Sequence, residues 1–316
     1  VELGHVVVLA GGLSYEREVS LRSGRRVADA LRALDVPVEL RDADATLLDA
    51  LARDRPDAVF PVLHGTAGED GSVRGVLELL ELPYIGARPD ACRVAWDKPA
   101  AKAVVRRAGV STPRSVALPK EIFYDLGAAA VLDRIVSRLG LPLFVKPTRG
   151  GSALGASVVR EAADLSAAMV GCFAYGDAAL VEQYVSGTEV AVSVIERPSG
   201  PVALPAVEIV APHGLYDYTA RYDAGDTAFV TPARLSTAAA DAATAAAVTA
   251  HRALGLRDLS RTDLIVDASG EVRFLEVNVA PGMTETSLLP RAVAAAGLDL
   301  GTVCRDLLVR RLDETR

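Results

Sequence analysis

The chain has 316 residues, half of them hydrophobic and 24% charged, with a formal net charge of −7. That balance predicts two or three compact units with ample core, and the negative charge argues against a nucleic-acid-binding surface. Three widely spaced cysteines (Cys92, Cys172, Cys304), no apolar run of membrane-spanning length and no basic-then-apolar N-terminal segment predict a reduced, cytoplasmic protein without membrane association.

His5–Ala10 reads as a short apolar strand that Gly11-Gly12 ends. Ser14 then precedes a helix that carries Glu16, Arg17 and Glu18 and continues through Val19, Leu21, Val27 and Leu31. Strand, glycine turn, helix opens an α/β sheet, but without G-x-G-x-x-G there is no dinucleotide site. Read alone, Glu16 is a carboxylate favoured by the positive end of a helix. Ala58–Leu63 is a second buried strand, followed by H-G-T-A-G-E-D-G at 64–71. Two apolar runs ending in glycine-rich loops predict a ligand edge on a parallel sheet. A satisfied loop histidine at His64 and an ordinary turn at Glu69-Asp70 are the alternative; three glycines and a histidine directly after a buried strand favour a functional loop.

Ser72–Leu80 reads as a helix, and Pro83–Gly86 as a short strand and turn. Ala95–Ala108 reads as one helix with Pro99 in its first turn and Lys98 just ahead, and a domain boundary is expected near residue 96. Leu143–Val145 is a strand leading through Lys146-Pro147 into T-R-G-G-S-A-L-G at 148–155. Backbone N–H groups of such a loop can surround phosphate oxygens, although a mobile hairpin turn fits the composition equally and no P-loop is present. Ala156–Val159 resumes a strand and Glu161–Cys172 is a helix. Further strands are expected over Ala179–Val185, Val190–Glu196 and Val202–Val210. His213 to Asp226, with three tyrosines and no period, reads as a lid-like loop, and Ala238 to Leu254 as an alanine-rich helix.

Leu264–Val266 and Val272–Val277 flank the turn-forming Asp267–Gly270, which predicts a β-hairpin. A two- or four-residue loop places Asp263 opposite Phe274 and Arg261 opposite Glu276, with Asp263, Glu276 and Asn278 on one face. A three-residue loop would shift the register by one and break that alignment. Two carboxylates and an amide oxygen on one wall suit Mg²⁺. A solvated face is the alternative, and the apolar flanks with the following Pro281-Gly282 favour the metal.

Taken together, G-G-L-S-Y-E-R-E-V-S (11–20), H-G-T-A-G-E-D-G (64–71), W-D-K (96–98) and V-K-P-T-R-G-G-S-A-L-G (145–155) resemble the D-alanine–D-alanine ligases of the ATP-grasp superfamily. So do V-E-Q-Y-V-S-G-T-E-V (181–190), Y-D-Y-T-A-R-Y (216–222), and S-R-T-D (260–263) with E-V-N-V-A-P-G-M-T-E-T-S-L-L-P (276–290). The resemblance implies an α/β ATP-grasp fold: an N-terminal open parallel-sheet domain (1–95), a small central domain (96–182) and a C-terminal mixed-sheet domain (183–316). It implies ATP between the last two, with Lys98 and Lys146 on phosphates and nucleotide, Glu182 and Val185 at the adenine, Glu189 at the ribose, and Arg221 and Phe274 in the same set. Asp263, Glu276 and Asn278 would hold two Mg²⁺ ions, with Mn²⁺ as a substitute. Glu16 would anchor the ammonium of the first D-alanine, with His64 close by. Arg261 and the Gly282 N–H would form an oxyanion hole, and Ser287 and Leu288 would receive the second carboxylate. Ser152, Glu189 and Tyr222 would form a hydrogen-bonded group closing the lid.

Two departures stand out: Gly150 replaces a common glutamate, and Arg221 a common lysine. The implied reaction joins two D-alanines through an acyl phosphate, releasing ADP and phosphate, for peptidoglycan precursors in a cytoplasmic homodimer. A D-alanine–D-lactate or D-alanine–D-serine ligase, or another ATP-grasp carboxylate–amine ligase, is the alternative. Tyr222 favours the dipeptide.

Overall fold

The computed structural model describes residues 3–211 and 227–314. The expected lid from His213 to Asp226, including Arg221 and Tyr222, lies outside the described residues. Three sheets organise the rest. The first is parallel, from β1 (Val6–Ala10), β2 (Val38–Asp42) and β3 (Ala58–Pro61) in the order β2-β1-β3. Every residue of β1 is buried, as expected of a central parallel strand covered on both faces. The helix Arg17–Arg32 covers one face through Val27, Ala28 and Leu31.

The second sheet is antiparallel: β4 (Ser115–Pro119), β5 (Leu143–Pro147), β6 (Ser157–Val159) and β7 (Ala178–Gln183), ordered β4-β7-β5-β6. Helices Ala128–Leu139 and Leu165–Phe173 supply Ile135, Leu139, Leu165, Met169 and Cys172 to its core. The third sheet holds β8 (Thr188–Arg197), β9 (Gly200–Ala203), β10 (Val207–Val210), β11 (Ala228–Val230), β12 (Leu259–Val266) and β13 (Val272–Asn278). Its order is β11-β10-β8-β12-β13, with β9 pairing β8. The helix Thr237–Ala253 packs on it through Ala239, Ala243, Ala247 and Ala250, small residues one turn apart on a single face. Ser236 caps that helix by accepting from the Ala239 N–H at 3.3 Å. Helices Leu288–Ala295 and Leu300–Glu314 cover the sheet's other side, and their core is continuous with that of the first sheet.

Several expected boundaries shift for identifiable reasons. Ala95–Ala108 is not one helix but two, Pro89–Trp96 and Lys98–Arg107, with extended backbone at Asp97. Asp97 caps the second, its side chain accepting from the Ala100 N–H at 3.0 Å, and Pro99 is accommodated in that first turn. The expected strand Val202–Val210 is two strands, because Pro205 between them has no N–H for a ladder. Pro83–Gly86 forms only a single bridge, Val59 with Tyr84.

Candidate active site

The hairpin of β12 and β13 carries the wall of the site. Val266, Ile265 and Leu264 pair with Val272, Arg273 and Phe274. The register then shifts, and Asp263, Thr262 and Arg261 pair with Glu276, Val277 and Asn278. Asp267 closes the turn: its N–H donates to the Glu271 carbonyl at 3.0 Å, while its side chain accepts from the Ser269 and Glu271 N–H groups. The loop is therefore of the three-residue kind, so Asp263 does not face Phe274 and Arg261 does not face Glu276. A bulge at Leu275 absorbs the slip and returns Glu276 to the face of Asp263. Phe274 is wholly buried in the core behind the sheet; Leu275, not Phe274, lines the cleft.

One cleft lies between β5, β7 and this hairpin, lined among others by Lys98, Lys146, Glu182, Val185, Glu189, Asp263 and Glu276. Glu182 is buried between two lysines, Lys102 Nζ at 2.7 Å from Oε1 and Lys146 Nζ at 2.9 Å from Oε2. Each carboxylate oxygen thus faces one lysine, and Glu182 anchors Lys146 at the floor of the cleft. Burial works against the charge on Lys146, but Glu182 and then Glu276 outweigh it and raise its pKa. Burial raises the Glu182 carboxyl, and Lys102 and Lys146 together bring it below its ordinary value. On Lys102 burial prevails and lowers the pKa to about 8. Lys102 also donates to the Phe274 carbonyl at 3.0 Å, tying its helix to β13.

A second cleft is lined by Glu16, His64, Glu69, Ser152, Arg261, Asn278, Gly282, Ser287 and Leu288 among others. Lys98, Gly150, Gly151 and Glu276 line both clefts. Lys98 Nζ donates to the Gly150 carbonyl at 2.7 Å and lies 3.5 Å from Glu276 Oε2. Gly150 has φ of +131°, a conformation that L side chains rarely adopt, so a glutamate here would strain the loop in this form. Ser152 Oγ donates to Glu16 Oε1 at 2.5 Å, and Glu189 lines the other cleft. Arg261 forks onto Asp263, Nε to Oδ1 and Nη2 to Oδ2, both at 2.7 Å. Ser287 Oγ accepts from the Thr284 N–H at 3.0 Å. A Cβ on Gly282 would stand 2.6 Å from that Oγ, so a larger residue would have to displace the Ser287 hydroxyl from the Thr284 N–H.

His64 is buried, with Nδ1 at 3.0 Å from the Ala280 carbonyl and Nε2 at 3.2 Å from Ser23 Oγ. Burial lowers its pKa against the pull of Glu16. Glu69 is no ordinary turn residue: it is buried, and it accepts from the Gly65 N–H at 3.0 Å. Burial first, and Glu16 second, raise its pKa from 4.5 to about 8. Between those values the folded chain holds a proton that the unfolded chain has released, so this group's contribution to stability falls as pH rises through the window. Glu69→Gln cannot titrate. Thermal melts should therefore give similar midpoints near about pH 5 and a higher midpoint for the variant near about pH 8. A difference that does not change with pH would contradict this.

Residues 104–309 match the family profile described as D-ala D-ala ligase C-terminus, and residues 38–87 match D-ala D-ala ligase N-terminus. The chain belongs to the D-alanine–D-alanine ligase family. It is 39% identical over 303 residues to a D-alanine–D-alanine ligase of Pelotomaculum thermopropionicum, covering 96% of this chain and 95% of that one. A D-alanine–D-alanine ligase of Stutzerimonas stutzeri is 42% identical over 307 residues, covering 97% and 94%. Among solved structures, a D-Ala:D-Ser ligase from Enterococcus faecalis superposes with a TM-score of 0.83 at 28% identity, over 98% of this chain and 100% of that one. The D-alanine–D-alanine ligase from Coxiella burnetii gives 0.82 at 26% identity, over 99% and 96%. The fold is the ATP-grasp fold of this family.

In this D-alanine–D-alanine ligase family member, no group of three or more His, Cys, Asp or Glu side chains among the described residues converges as a metal site. The candidate ligands are two carboxylates, Asp263 and Glu276, and the amide of Asn278. All three offer oxygen, which fits Mg²⁺ or Mn²⁺ and not a softer ion. Arg261 uses both Asp263 oxygens, and the Ala280 N–H uses Asn278 Oδ1 at 2.7 Å, but each oxygen keeps a second lone pair. The donor set fits. Sequence reasoning missed Lys102, Glu69 and Ser23. Lys102 had one available signal, its place one helical turn after Lys98.

Proposed function

We infer that the protein joins two D-alanine molecules into D-alanyl-D-alanine, converting ATP to ADP and phosphate. The observation carrying this reading is the pair of clefts that share Lys98, Gly150, Gly151 and Glu276. A nucleotide in the first, against Lys146, Val185 and Glu189, has its terminal phosphate at the shared boundary. An amino acid in the second, with its ammonium at Glu16, has its carboxylate at the same boundary. A carboxylate does not accept an amine at neutral pH, so it is first phosphorylated. Lys98 and Lys146 orient the phosphates and offset their charge. The amine of the second D-alanine, its carboxylate at Ser287 and Leu288, then attacks the acyl carbon, and phosphate leaves. Arg261 and the Gly282 N–H stabilise the oxyanion of that step. Asp263, Glu276 and Asn278 would hold two Mg²⁺ ions, which when bound would neutralise charge on the phosphate oxygens.

The proposal includes the three-domain division at residues 95 and 182, cytoplasmic location and a homodimer. No helix among the described residues is long and apolar enough to cross a membrane. The proposal extends to Arg221 and Tyr222 at the lid. D-Alanine is preferred as second substrate because the relatives at 39% and 42% identity are named for it; the solved D-Ala:D-Ser and D-alanine–D-alanine ligases, at 28% and 26%, do not separate the two. The test is ADP release and mass analysis of products with ATP, Mg²⁺ and D-alanine, alone and with D-serine, D-lactate or L-alanine. The dipeptide should dominate. Release of ADP without any condensed product would sink the reading.

Glu16 has a sharper test. An ammonium deprived of its carboxylate partner loses about 2–3 kcal/mol, roughly 30- to 150-fold in affinity. Glu16→Gln should raise the KM for the first D-alanine by that factor and leave the KM for ATP nearly unchanged. Equal loss of both would leave Glu16 as a helix-end carboxylate only.

A further inference from the structure

His64 lies in the substrate cleft, yet both of its ring nitrogens have protein partners. The Ala280 carbonyl, 3.0 Å from Nδ1, can only accept, so Nδ1 carries the proton. In the neutral ring Nε2 is then an acceptor, and Ser23 Oγ at 3.2 Å donates to it. The Ser23 oxygen in turn accepts from the Met283 N–H at 3.1 Å. Each proton in the chain Met283 N–H, Ser23 O–H, His64 Nδ1–H has one assigned acceptor. Ser23 is fully buried, at 0% exposure, so bulk water does not reach these partners.

We propose that Ser23 and His64 are positioning residues that brace the segment Ala280–Met283 and so aim the Gly282 N–H at the oxyanion of the second step. The brace begins on the helix Arg17–Arg32, directly after Glu16. It therefore fixes the oxyanion donor relative to the group that anchors the first substrate's ammonium. Two further bonds support this segment and the residue before it. Arg26 on that helix donates to the Met283 carbonyl at 3.3 Å, and buried Arg74 donates to the Val279 carbonyl at 3.4 Å and to the Gly68 carbonyl. His64 is thus committed to the protein and not to the substrate. The proposal rests on the ligase reading given above, in which Gly282 serves the oxyanion.

The two chemical steps separate the brace from general damage. Phosphorylation of the first D-alanine involves no oxyanion at carbon, whereas amine attack does. Phosphorylation is read by positional isotope exchange in ATP labelled with ¹⁸O at the β,γ-bridge, with D-alanine present. Ser23→Ala should lower dipeptide turnover about tenfold to a hundredfold, as expected of an oxyanion donor shifted but not removed, with isotope exchange undiminished or raised, because acyl phosphate that reacts more slowly with the amine returns more often to ATP. Equal loss of both rates, or loss of neither, would overturn the proposal. The wild-type protein gives a second arm that needs no variant to fold. The chain has four histidines, and ¹⁵N NMR of the imidazoles, with His64 identified by its absence in His64→Asn, reads its tautomer directly. The expected form is neutral Nδ1–H; Nε2–H or an imidazolium near neutral pH would refute the brace. A wild type that makes no dipeptide would sink the ligase reading, and the tautomer would still decide whether the brace exists.

Discussion

Glu276→Gln is expected to reduce turnover by about a thousandfold or more while the fold survives, the scale of losing charge stabilisation at a phosphoryl group. Glu276 stands where the two clefts meet, directly across the ladder from Asp263 and 3.5 Å from Lys98 Nζ. Its side chain is 26% exposed, so an amide of the same shape fits without opening the core. The change removes one of two carboxylates from the candidate metal wall and leaves Lys98 beside a neutral group. Direct Mn²⁺ titration of the protein should weaken in parallel, which separates a lost metal from a lost contact with Lys98. Circular dichroism should be unchanged. Near-normal dipeptide formation at low Mg²⁺ would exclude this hairpin as the metal wall.

Arg261→Lys should lower kcat by about a hundredfold and alter the KM for ATP little. The guanidinium forks onto Asp263 through two 2.7 Å bonds while lining the amino-acid cleft. A lysine keeps the charge but offers a point donor in place of a planar fork. Asp263, 4% exposed, then loses part of its pairing, and the cation moves away from the place where Arg261 held it. A smaller companion effect is a lower melting temperature, because a buried carboxylate with an incomplete partner is destabilising. A variant with unchanged kcat and a raised KM for ATP would move Arg261 out of the oxyanion role and into nucleotide binding.

The parts legible in the sequence are those with a strong local signal. Val6–Ala10 reads as a central strand because every residue is apolar, and the glycine-rich loops after β1, β3 and β5 follow from composition. The face shared by Asp263, Glu276 and Asn278 was readable; the register behind it was not. Asp267 folds its loop with side-chain bonds that remove one residue from the pairing, and the bulge restores the face at Leu275. Phe274 and Leu275 are both apolar, so alternation does not reveal which one is skipped. The group Lys102–Glu182–Lys146 converges from a helix and two strands far apart in sequence, and a lysine pair one turn apart looks like a solvated face. The Ser23–His64 chain joins positions from three segments and leaves no periodic trace.

The most direct test of the central claim follows oxygen. If the first D-alanine attacks the terminal phosphate of ATP, one carboxylate oxygen bridges carbon and phosphorus and leaves with phosphate when the amine attacks. The other remains as the peptide carbonyl. With D-alanine labelled with ¹⁸O in its carboxylate, each dipeptide formed should be matched by one inorganic phosphate carrying one ¹⁸O, with ADP as the nucleotide product. Unlabelled phosphate would contradict the account, because nucleotide cleavage would then proceed by water and not through the substrate's carboxylate.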